Sequence, residues 1–279
     1  MKLLICTQKV DPKDPVLGFF VRWIEEFKKH VDVEVVSLKD LGDGGKLMRA
    51  CRLLQLANSK DYDAVFVHMN PEYVVAAGWL WRLKHKRTGL WYMHKSVDLK
   101  LRIAEKFANV IFTGSKESFR LPSKKARVMG HGIDTGFFCP DPSVAREDWW
   151  VSVGRLNPSK RHDLAIRAAH EAGKELRIVG DGPERENLEA LARELGAKVV
   201  FMGGLDQAGV RDVFRRAAKF VHTSETGSLD KVVLEAVACG CPVSTRDPAL
   251  KFLEHEGPAY VEQHHSLKRL IPAILALLS

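Results

Sequence analysis

The chain has 279 residues, of which 46% are hydrophobic and 28% are charged, a balance that excludes a disordered or fibrous protein and leaves room for two domains. Its 5 cysteines are an odd number spread over the chain, which argues against a disulfide framework and favours reduced thiols. The formal net charge of +8 comes from the N-terminal half, because residues 1–140 hold 24 Lys and Arg against 15 Asp and Glu. A field of that sign attracts phosphates, acidic lipid head groups or nucleic acid, and a basic surface that serves only solubility fits the composition as well.

The chain begins with a short apolar run, Lys2 to Cys6, which is too short for a secretory signal. No later segment reaches the roughly 18 consecutive apolar residues that a membrane span needs. We therefore expect a cytoplasmic protein, with the basic N-terminal half as a candidate contact for the inner face of an anionic membrane. Cys239 and Cys241 form a Cys-X-Cys without a second pair, so no metal is expected.

Short β-branched runs alternate with longer amphipathic stretches in the first half of the chain, as in the βαβ units of a parallel sheet. The rhythm stops between Asp134 and Asp148, where the stretch from Cys139 to Pro142 indicates a linker. The strand-like runs of this half are residues 2–6, 33–36, 64–67, 90–92 and 110–112.

A second series with the same rhythm follows the linker. Together the two series predict an α/β protein of two Rossmann-like, doubly wound parallel-sheet domains, residues 1–138 and 139–279, with the last helix a candidate to pack back on the first domain. The strand-like runs of this half are 149–153, 176–179, 198–202, 220–222 and 242–244, and its helical patterns begin near Ser159, Pro183, Asp206 and Leu229.

Ligands of open parallel sheets bind beyond the carboxyl ends of the strands, so the segments just after the strands are the candidate sites. Gly154, Arg155 and Lys160 follow the run 149–153 and precede a helix. Helix N–H groups joined by Arg and Lys side chains form a diphosphate site. Either cation alone would more often be a solvated surface charge, and their shared position favours the anion site.

Two further segments follow strands. Residues 180–184, Gly-Asp-Gly-Pro-Glu, are interpreted as a structural turn, since Arg185 stands where a dinucleotide fingerprint needs glycine. Glu235 stands in an otherwise apolar helical run from Val232 to Ala238. A buried carboxylate there needs partners, and sugar hydroxyls are suitable ones. The alternative is a first-turn Glu that faces solvent and complements the helix dipole.

Two motifs of the second half, Gly154-Arg-Leu with Lys160-Arg-His-Asp, and Leu234-Glu-Ala-Val-Ala-Cys-Gly-Cys-Pro-Val, resemble those of the retaining GT-B glycosyltransferases of family 4. The resemblance extends over nearly the whole chain and implies two domains that face a cleft. It implies a donor diphosphate held by Arg155 and Lys160 and a nucleotide ribose bound by Glu235. Arg161 departs from the pattern, because the family has glycine there.

A second departure concerns the family's other Glu, whose position is Gly227 here. Glu225 and Asp230 are nearby substitutes, and the backbone around Ser228 is an alternative that would bind the diphosphate through N–H groups. The donor contacts that the resemblance implies in this half are Gly154, Arg155, Lys160, Gly203, Gly227, Ser228, Leu229 and Glu235.

In the first half the resemblance is fainter. His68 and His94 look like the family's two strand-ending histidines, the second of which lies beside the donor sugar, so His94 is the candidate for that role together with Arg155 and Lys160 as catalytic residues. Each histidine alone would more often be structural. Gly18 stands where the family has a glycine-rich phosphate loop.

The resemblance therefore implies a glycosyltransferase that moves a sugar from a nucleotide-diphosphate donor, UDP- or GDP-sugar favoured, to an acceptor hydroxyl with retention. It implies no metal and no cofactor, since the donor is a co-substrate. The acceptor is expected to be lipid-linked or phosphate-bearing, as in glycolipid, cell-surface polysaccharide or other glycoconjugate synthesis. Nucleic acid is not an expected partner, because no recognition motif is present. The alternative is a catalytically silent subunit that binds a sugar nucleotide or a partner protein.

Overall fold

The computed structural model describes residues 1–14, 16–224 and 229–279. By their internal contacts these residues divide into two compact units. The first contains residues 16–132 with the N-terminal strand and residues 267–279, and the second contains residues 133–266. Each unit is built on one parallel sheet, so the predicted pair of Rossmann-like α/β domains is confirmed.

The first unit alternates strands and helices from its first residues. Its elements are β1 (Lys2–Cys6), α1 (Phe19–Lys28), β2 (Asp32–Val36), α2 (Lys46–Ser59), β3 (Ala64–His68), α3 (Pro71–Leu83), β4 (Arg87–Trp91), α4 (Leu99–Phe107), β5 (Val110–Thr113) and β6 (Ala126–Val128).

The second unit repeats the pattern. Its elements are β7 (Glu147–Val153), a 3-10 helix over Pro158–Lys160, α5 (His162–Glu171), β8 (Glu175–Val179), α6 (Arg185–Leu195), β9 (Val199–Gly203), α7 (Gln207–Arg216), β10 (Ala217–His222), α8 (Lys231–Ala238), β11 (Val243–Thr245), a 3-10 helix over Pro248–His255 and α9 (Pro258–His265); α10 (Leu267–Leu278) then belongs to the first unit.

The first sheet has the strand order β2-β1-β3-β4-β5-β6, with every pair parallel. Helices cover both faces, so an inner strand such as β3 is buried at all five positions and reads as one apolar run ending in His68. Helices α1 and α10 contribute Trp23 and Ile271 to one core layer. Helices α2, α3 and α4 contribute Leu53, Trp81 and others to the layer on the opposite face.

The second sheet has the order β11-β10-β7-β8-β9 and is also parallel throughout. Its core again consists of two clusters of buried residues. Phe214, Phe220 and Leu234 lie in one cluster, and Ile166 and Leu176 lie in the other. The chain passes from one unit to the other at Gly132 and Ile133, ahead of the position that the sequence suggested.

Several boundaries differ from the sequence prediction. The edge strand β6 was not predicted, because its three residues are partly exposed and carry no apolar run. The helix predicted near Ser159 begins at His162 instead, since a short 3-10 turn comes first and Arg161 then adopts a left-handed conformation. Within the described ranges, no helix has both the length and the apolar character needed to cross a bilayer.

Candidate functional site

The candidate site lies in the second unit, where the order of its strands reverses. The chain builds β8 and β9 on one side of β7 and then β10 and β11 on the other. Loops that leave neighbouring strands in opposite directions open a crevice beyond the strand ends, and ligands of such sheets bind there. The loop from Gly154 to Lys160 leaves β7, and Thr223 follows β10. The Thr223 hydroxyl donates to the Lys160 carbonyl oxygen at 2.9 Å, so the two loops are joined.

An ion pair connects these loops to helix α8. The Lys160 Nζ lies 2.6 Å from Asp230 Oδ2, and the two side chains retain 24% and 19% of their exposure. His222, the last residue of β10, places Nε2 3.4 Å from the same oxygen and Nδ1 2.9 Å from the Thr245 hydroxyl. We call Lys160, His222 and Asp230 the Lys160 cluster.

The charge state of the Lys160 cluster follows from its contacts. Burial alone would raise the pKa of Asp230, but the His222 hydrogen bond and the Lys160 ammonium outweigh it and hold the pKa of this carboxyl below its ordinary value. Asp230 is therefore ionised at neutral pH. Among the described residues, Asp230 is the one carboxylate that the Lys160 ammonium contacts.

The N-cap residue of helix α8 does not cap the helix with its own side chain. Asp230 is its N-cap residue, yet the carboxylate accepts no hydrogen bond from the first turn, because it points to Lys160 and His222. The first N–H groups of a helix have no partner inside the helix and carry partial positive charge. The amino end of α8 therefore adds a second positive feature next to the Lys160 ammonium.

Glu235 lies one turn into the same helix. It is only 6% exposed between buried neighbours such as Leu234 and Ala236. The Lys231 ammonium contacts its carboxylate across one helical turn. The alternative of a solvent-facing Glu is therefore wrong. Since Lys231 directly follows Asp230, one turn of α8 connects the Lys160 cluster to Glu235.

Arg155 extends into solvent from the loop after β7. Over the part of the chain that the structure describes, its guanidinium makes no ion pair or hydrogen bond. The turn after β8 supports this loop. Gly180 has φ +137°, and a Cβ added there would lie 1.9 Å from the Gly154 carbonyl oxygen. Residues 180–184 thus form the structural turn that the sequence suggested, and its function is to hold the Arg155 loop.

Arg161 occupies the position where the resembled family has glycine. Its φ of 52° and ψ of 41° are left-handed, a conformation that glycine adopts without steric cost. The Arg161 Nε and Nη2 donate to the Asp163 carboxylate at 3.0 and 3.1 Å. Arg161 therefore holds a backbone conformation that is strained for a residue other than glycine.

Ser152 and His162 form a buried pair that the sequence did not suggest. The Ser152 hydroxyl lies 2.9 Å from His162 Nδ1. Desolvation is the main reason that the pKa of His162 falls to about 4, so the ring is neutral at physiological pH. Its Nε2 is buried as well and faces the backbone of Gly154 and Arg155. His162 lies in the Lys160-Arg-His-Asp motif, but the motif alone gave no reason to single it out. Its burial in the fold does.

The other predicted donor contacts lie at the edge strand of the second sheet, against the core of the second unit, or outside the described ranges. Gly203 ends the edge strand β9 with φ +71°. Leu229 is partly buried against the core of the second unit. Glu225, Gly227 and Ser228 lie outside the residues that the structure describes.

The three residues singled out in the first unit differ in environment. Gly18 is buried at the N-cap of α1 with an ordinary right-handed backbone. His94 is exposed after β4, and its Nδ1 accepts the Ser96 N–H at 3.1 Å. His68 ends β3 with its ring stacked 3.9 Å from that of Phe20, and burial lowers its pKa to about 3. His68 is therefore a neutral core residue.

No metal-binding group is evident in the described parts of either unit, where no three His, Cys, Asp or Glu side chains come together in a suitable arrangement. The 5 cysteines are free thiols. Arg155, Lys160 and the amino end of α8 bring positive charge to the candidate site.

Comparison with known proteins finds similarity chiefly in the second half of the chain. Residues 147–279 match the family model described as Glycosyl transferases group 1. The GDP-mannose-dependent alpha-(1-6)-phosphatidylinositol monomannoside mannosyltransferase of Mycolicibacterium smegmatis is 34% identical over 146 residues, 44% of this chain and 38% of that protein. The D-inositol 3-phosphate glycosyltransferase of Kribbella flavida is 36% identical over 145 residues, 43% of this chain and 34% of that protein. The matches thus span little more than a third of these relatives.

Solved structures match the whole chain. Anabaena HepE, solved in complex with UDP, aligns with a TM-score of 0.74 over 100% of this chain and 99% of that one, at 17% identity. At that identity the likeness concerns the fold alone. The fold is GT-B, as the sequence predicted.

Proposed function

We propose that the chain is a glycosyltransferase that moves a sugar from a nucleotide-diphosphate donor, a UDP- or GDP-sugar, to an acceptor hydroxyl. The observation that carries the proposal is the contact of Lys160 with Asp230 at the amino end of α8, one turn ahead of the buried Glu235 on the same helix. The family match over residues 147–279, which contains all of these groups, supports it.

The diphosphate is assigned to Arg155, Lys160 and the amino end of α8. Negative charge grows on the nucleoside diphosphate as the sugar departs, and fixed cations stabilise that charge without reorganisation. Gly154 lets the Arg155 loop pass close to the phosphates, and the backbone at Gly227 and Ser228 is assigned to them as well. Because protein cations supply the charge, the reaction is proposed to need no metal.

The ribose is assigned to Glu235. Two vicinal hydroxyls can donate to one carboxylate, and such hydrogen bonds are strong where water is excluded. Lys231 offsets the desolvation of Glu235 and leaves acceptor capacity on its oxygens. Leu229 and Gly203 are assigned to the nucleoside side of the pocket, whereas His94 and Gly18 of the first unit are assigned to the sugar and phosphate. Retention of anomeric configuration is proposed from the family resemblance.

The acceptor is proposed to be lipid-linked or phosphate-bearing and to bind the first unit. The excess of Lys and Arg over Asp and Glu in residues 1–140 favours an anion and contact with an anionic membrane. Two relatives are named for phosphatidylinositol monomannoside and D-inositol 3-phosphate, which are both phosphate-bearing.

The first test is a thermal-shift screen with UDP-, GDP-, ADP- and dTDP-sugars. A ligand that binds only the folded protein at 100 times its Kd stabilises it by about 2.7 kcal/mol, which raises the Tm by roughly 5–10 °C. We expect the largest shift with a UDP- or GDP-sugar. A shift without donor hydrolysis or transfer would favour the catalytically silent subunit, and no shift with any nucleotide would contradict the assignment.

The second test compares two Lys–Asp pairs of the same unit. Lys160→Ala removes the proposed phosphate contact and is expected to lower kcat by about two orders of magnitude. Lys174→Ala is the matched control, because Lys174 pairs with Asp148 at 2.7 Å near the amino ends of β8 and β7. An equal effect of the two substitutions would refute the role of Lys160.

A further inference from the structure

The first unit contains an apolar pocket that the nucleotide assignment does not use. Its volume is about 520 Å³, the size of pockets that bind small organic molecules. It lies beyond the carboxyl ends of β1, β2 and β3, between helices α2 and α3. Its apolar lining includes Leu38, Leu41, Leu53, Val75 and Ala76.

Cations surround this apolar lining. Lys46 and Arg49 on α2 and Lys100 on α4 line the pocket together with one carboxylate, Glu72. Glu72 pairs with Lys100 at 2.6 Å, and Arg49 donates to the Gly42 carbonyl at 3.0 Å. Within the described ranges, neither Lys46 nor Arg49 has a carboxylate partner. The rim therefore keeps an excess of positive charge next to an apolar interior.

Exposed apolar side chains lie next to the rim residues in the chain. Leu47 and Met48, which follow Lys46 on α2, are 80% and 52% exposed. Leu99, which precedes Lys100, is 71% exposed. Large apolar side chains that flank cations on one edge of a unit are typical of surfaces that meet lipid.

We infer that this pocket binds the apolar chain of a phosphate-bearing amphiphile, whose phosphate is held at the rim by Lys46 and Arg49. A free phosphate would leave the apolar lining unused, and a neutral amphiphile would leave the rim charges unpaired. The proposed function makes this amphiphile the acceptor lipid, and in that respect the inference rests on it. Binding to the pocket itself requires no sugar transfer.

A larger depression elsewhere on the first unit does not fit this ligand. Its volume is about 660 Å³, and its lining includes Lys28, Lys29 and Asp32 near the amino end of β2. Ligands of parallel sheets bind at the opposite, carboxyl edge. The apolar pocket is at the carboxyl edge, beside the ends of three strands.

The binding test titrates dodecyl phosphate, dodecyl maltoside and inorganic phosphate into the full chain in a calorimeter. The two amphiphiles are kept below their micellar concentrations. We expect dodecyl phosphate to bind at least tenfold more tightly than either of the others. Octyl phosphate is expected to bind more weakly, by up to roughly fourfold for each methylene lost. Equal binding of the maltoside, or no binding of dodecyl phosphate, would overturn the inference.

Two pairs of variants locate the site. Ala50→Trp fills the pocket from a half-buried position on α2 and is expected to reduce dodecyl phosphate binding more than tenfold. Gln55→Trp, on the exposed face of the same helix, is the control and is expected to leave this binding unchanged. Lys46→Ala is expected to weaken dodecyl phosphate binding about two- to fivefold. Lys106→Ala, which removes the same charge from the far end of α4, is the control.

The outcomes separate this inference from the glycosyltransferase proposal. Each variant is checked for an unchanged Tm and for unchanged binding of UDP and GDP, whose proposed contacts include none of the substituted residues. Dodecyl phosphate binding that is lost in Ala50→Trp supports the pocket even if no nucleotide binds. Equal dodecyl phosphate binding by Ala50→Trp and Gln55→Trp overturns the pocket even if sugar transfer is found.

Discussion

Asp230→Asn is expected to weaken the folded protein and to strengthen its binding of nucleoside diphosphates. The substitution keeps the shape of the side chain and removes the negative charge that lies 2.6 Å from the Lys160 ammonium. The free protein loses a partly buried ion pair, because Lys160 loses the Asp230 carboxylate that it contacts. A bound diphosphate, in contrast, no longer meets a carboxylate beside the cation that binds it.

The two magnitudes follow from the geometry. Exposed ion pairs contribute about 0–1 kcal/mol and breaking buried ones costs about 3–5 kcal/mol, so this intermediate pair is expected to contribute about 1–2 kcal/mol to the free energy of unfolding. For a phosphate about 5 Å from the Asp230 carboxylate, Coulomb's law gives a repulsion of about 0.8–3.3 kcal/mol between dielectric constants of about 80 and 20. A partly exposed site should lie near 1–2 kcal/mol, which corresponds to a roughly 5- to 30-fold gain in affinity.

The assay combines urea unfolding with calorimetric titration of UDP and GDP. The pKa of Asp230 is depressed, so its contribution to stability is complete above its ordinary pKa of 3.8 and is lost only as the pH falls through the folded-state value. The stability difference between the two proteins is therefore expected to be constant between about pH 5 and 8. Unchanged or weaker nucleotide binding by Asp230→Asn would refute the placement of the diphosphate beside the Lys160 cluster.

Three further substitutions test how the site is built. Arg161→Gly relieves the left-handed strain at φ 52° and is expected to raise the free energy of unfolding by about 0.5–1 kcal/mol in urea titrations. Gly180→Ala places a Cβ 1.9 Å from the Gly154 carbonyl oxygen and is expected to cost about 2–3 kcal/mol. It should also weaken UDP or GDP binding in calorimetry, because the Arg155 loop must move. The pKa of His162 is about 4 in the folded protein and 6.5 in the unfolded chain. As the pH drops from 6.5 to 4, the unfolded chain is protonated first, so the free energy of unfolding falls. His162→Asn should flatten that fall in thermal unfolding measured across this range.

Each of these expectations has a result that would contradict it. Gly257→Ala is the control for Gly180→Ala, since an added Cβ at Gly257 meets nothing within 4 Å. Equal stability of the two variants would mean that the turn after β8 tolerates a side chain. A loss of stability in Arg161→Gly would show that the Asp163 contact outweighs the backbone strain. A pH profile unchanged by His162→Asn would mean that the ring is not held neutral.

The fold follows from the sequence because both sheets are buried on both faces. Strands such as β3 are then continuous apolar runs, which are easy to recognise between amphipathic helices. The edge strand β6 has no such run, because Arg127 and Val128 are exposed and the strand pairs on one side only, with β5. The sequence predicted the start of α5 too early, near Ser159. The 3-10 turn before the helix ends at a left-handed residue, Arg161, and no glycine is present to indicate that conformation in the sequence.

The site follows from the sequence only where a local pattern carries it. The apolar residues on either side of Glu235 indicate a buried carboxylate, but they do not exclude a solvent-facing one, and the tertiary packing decides between the two. The pairing of Lys160 with Asp230 could not, because 70 residues separate them and only the pairing of β7 with β10 brings them together. The buried pair of Ser152 and His162 depends on the same tertiary packing.

Arg155, Lys160 and Glu235 are proposed to bind one nucleotide. This is tested by a crystal structure of the protein with the nucleoside diphosphate that gives the largest thermal shift. We expect phosphate oxygens within hydrogen-bond distance of Lys160 Nζ and the Arg155 guanidinium, and ribose hydroxyls on the Glu235 carboxylate. A nucleotide bound away from the carboxyl ends of β7 and β10, with the Lys160–Asp230 pair intact and Glu235 unoccupied, would contradict it.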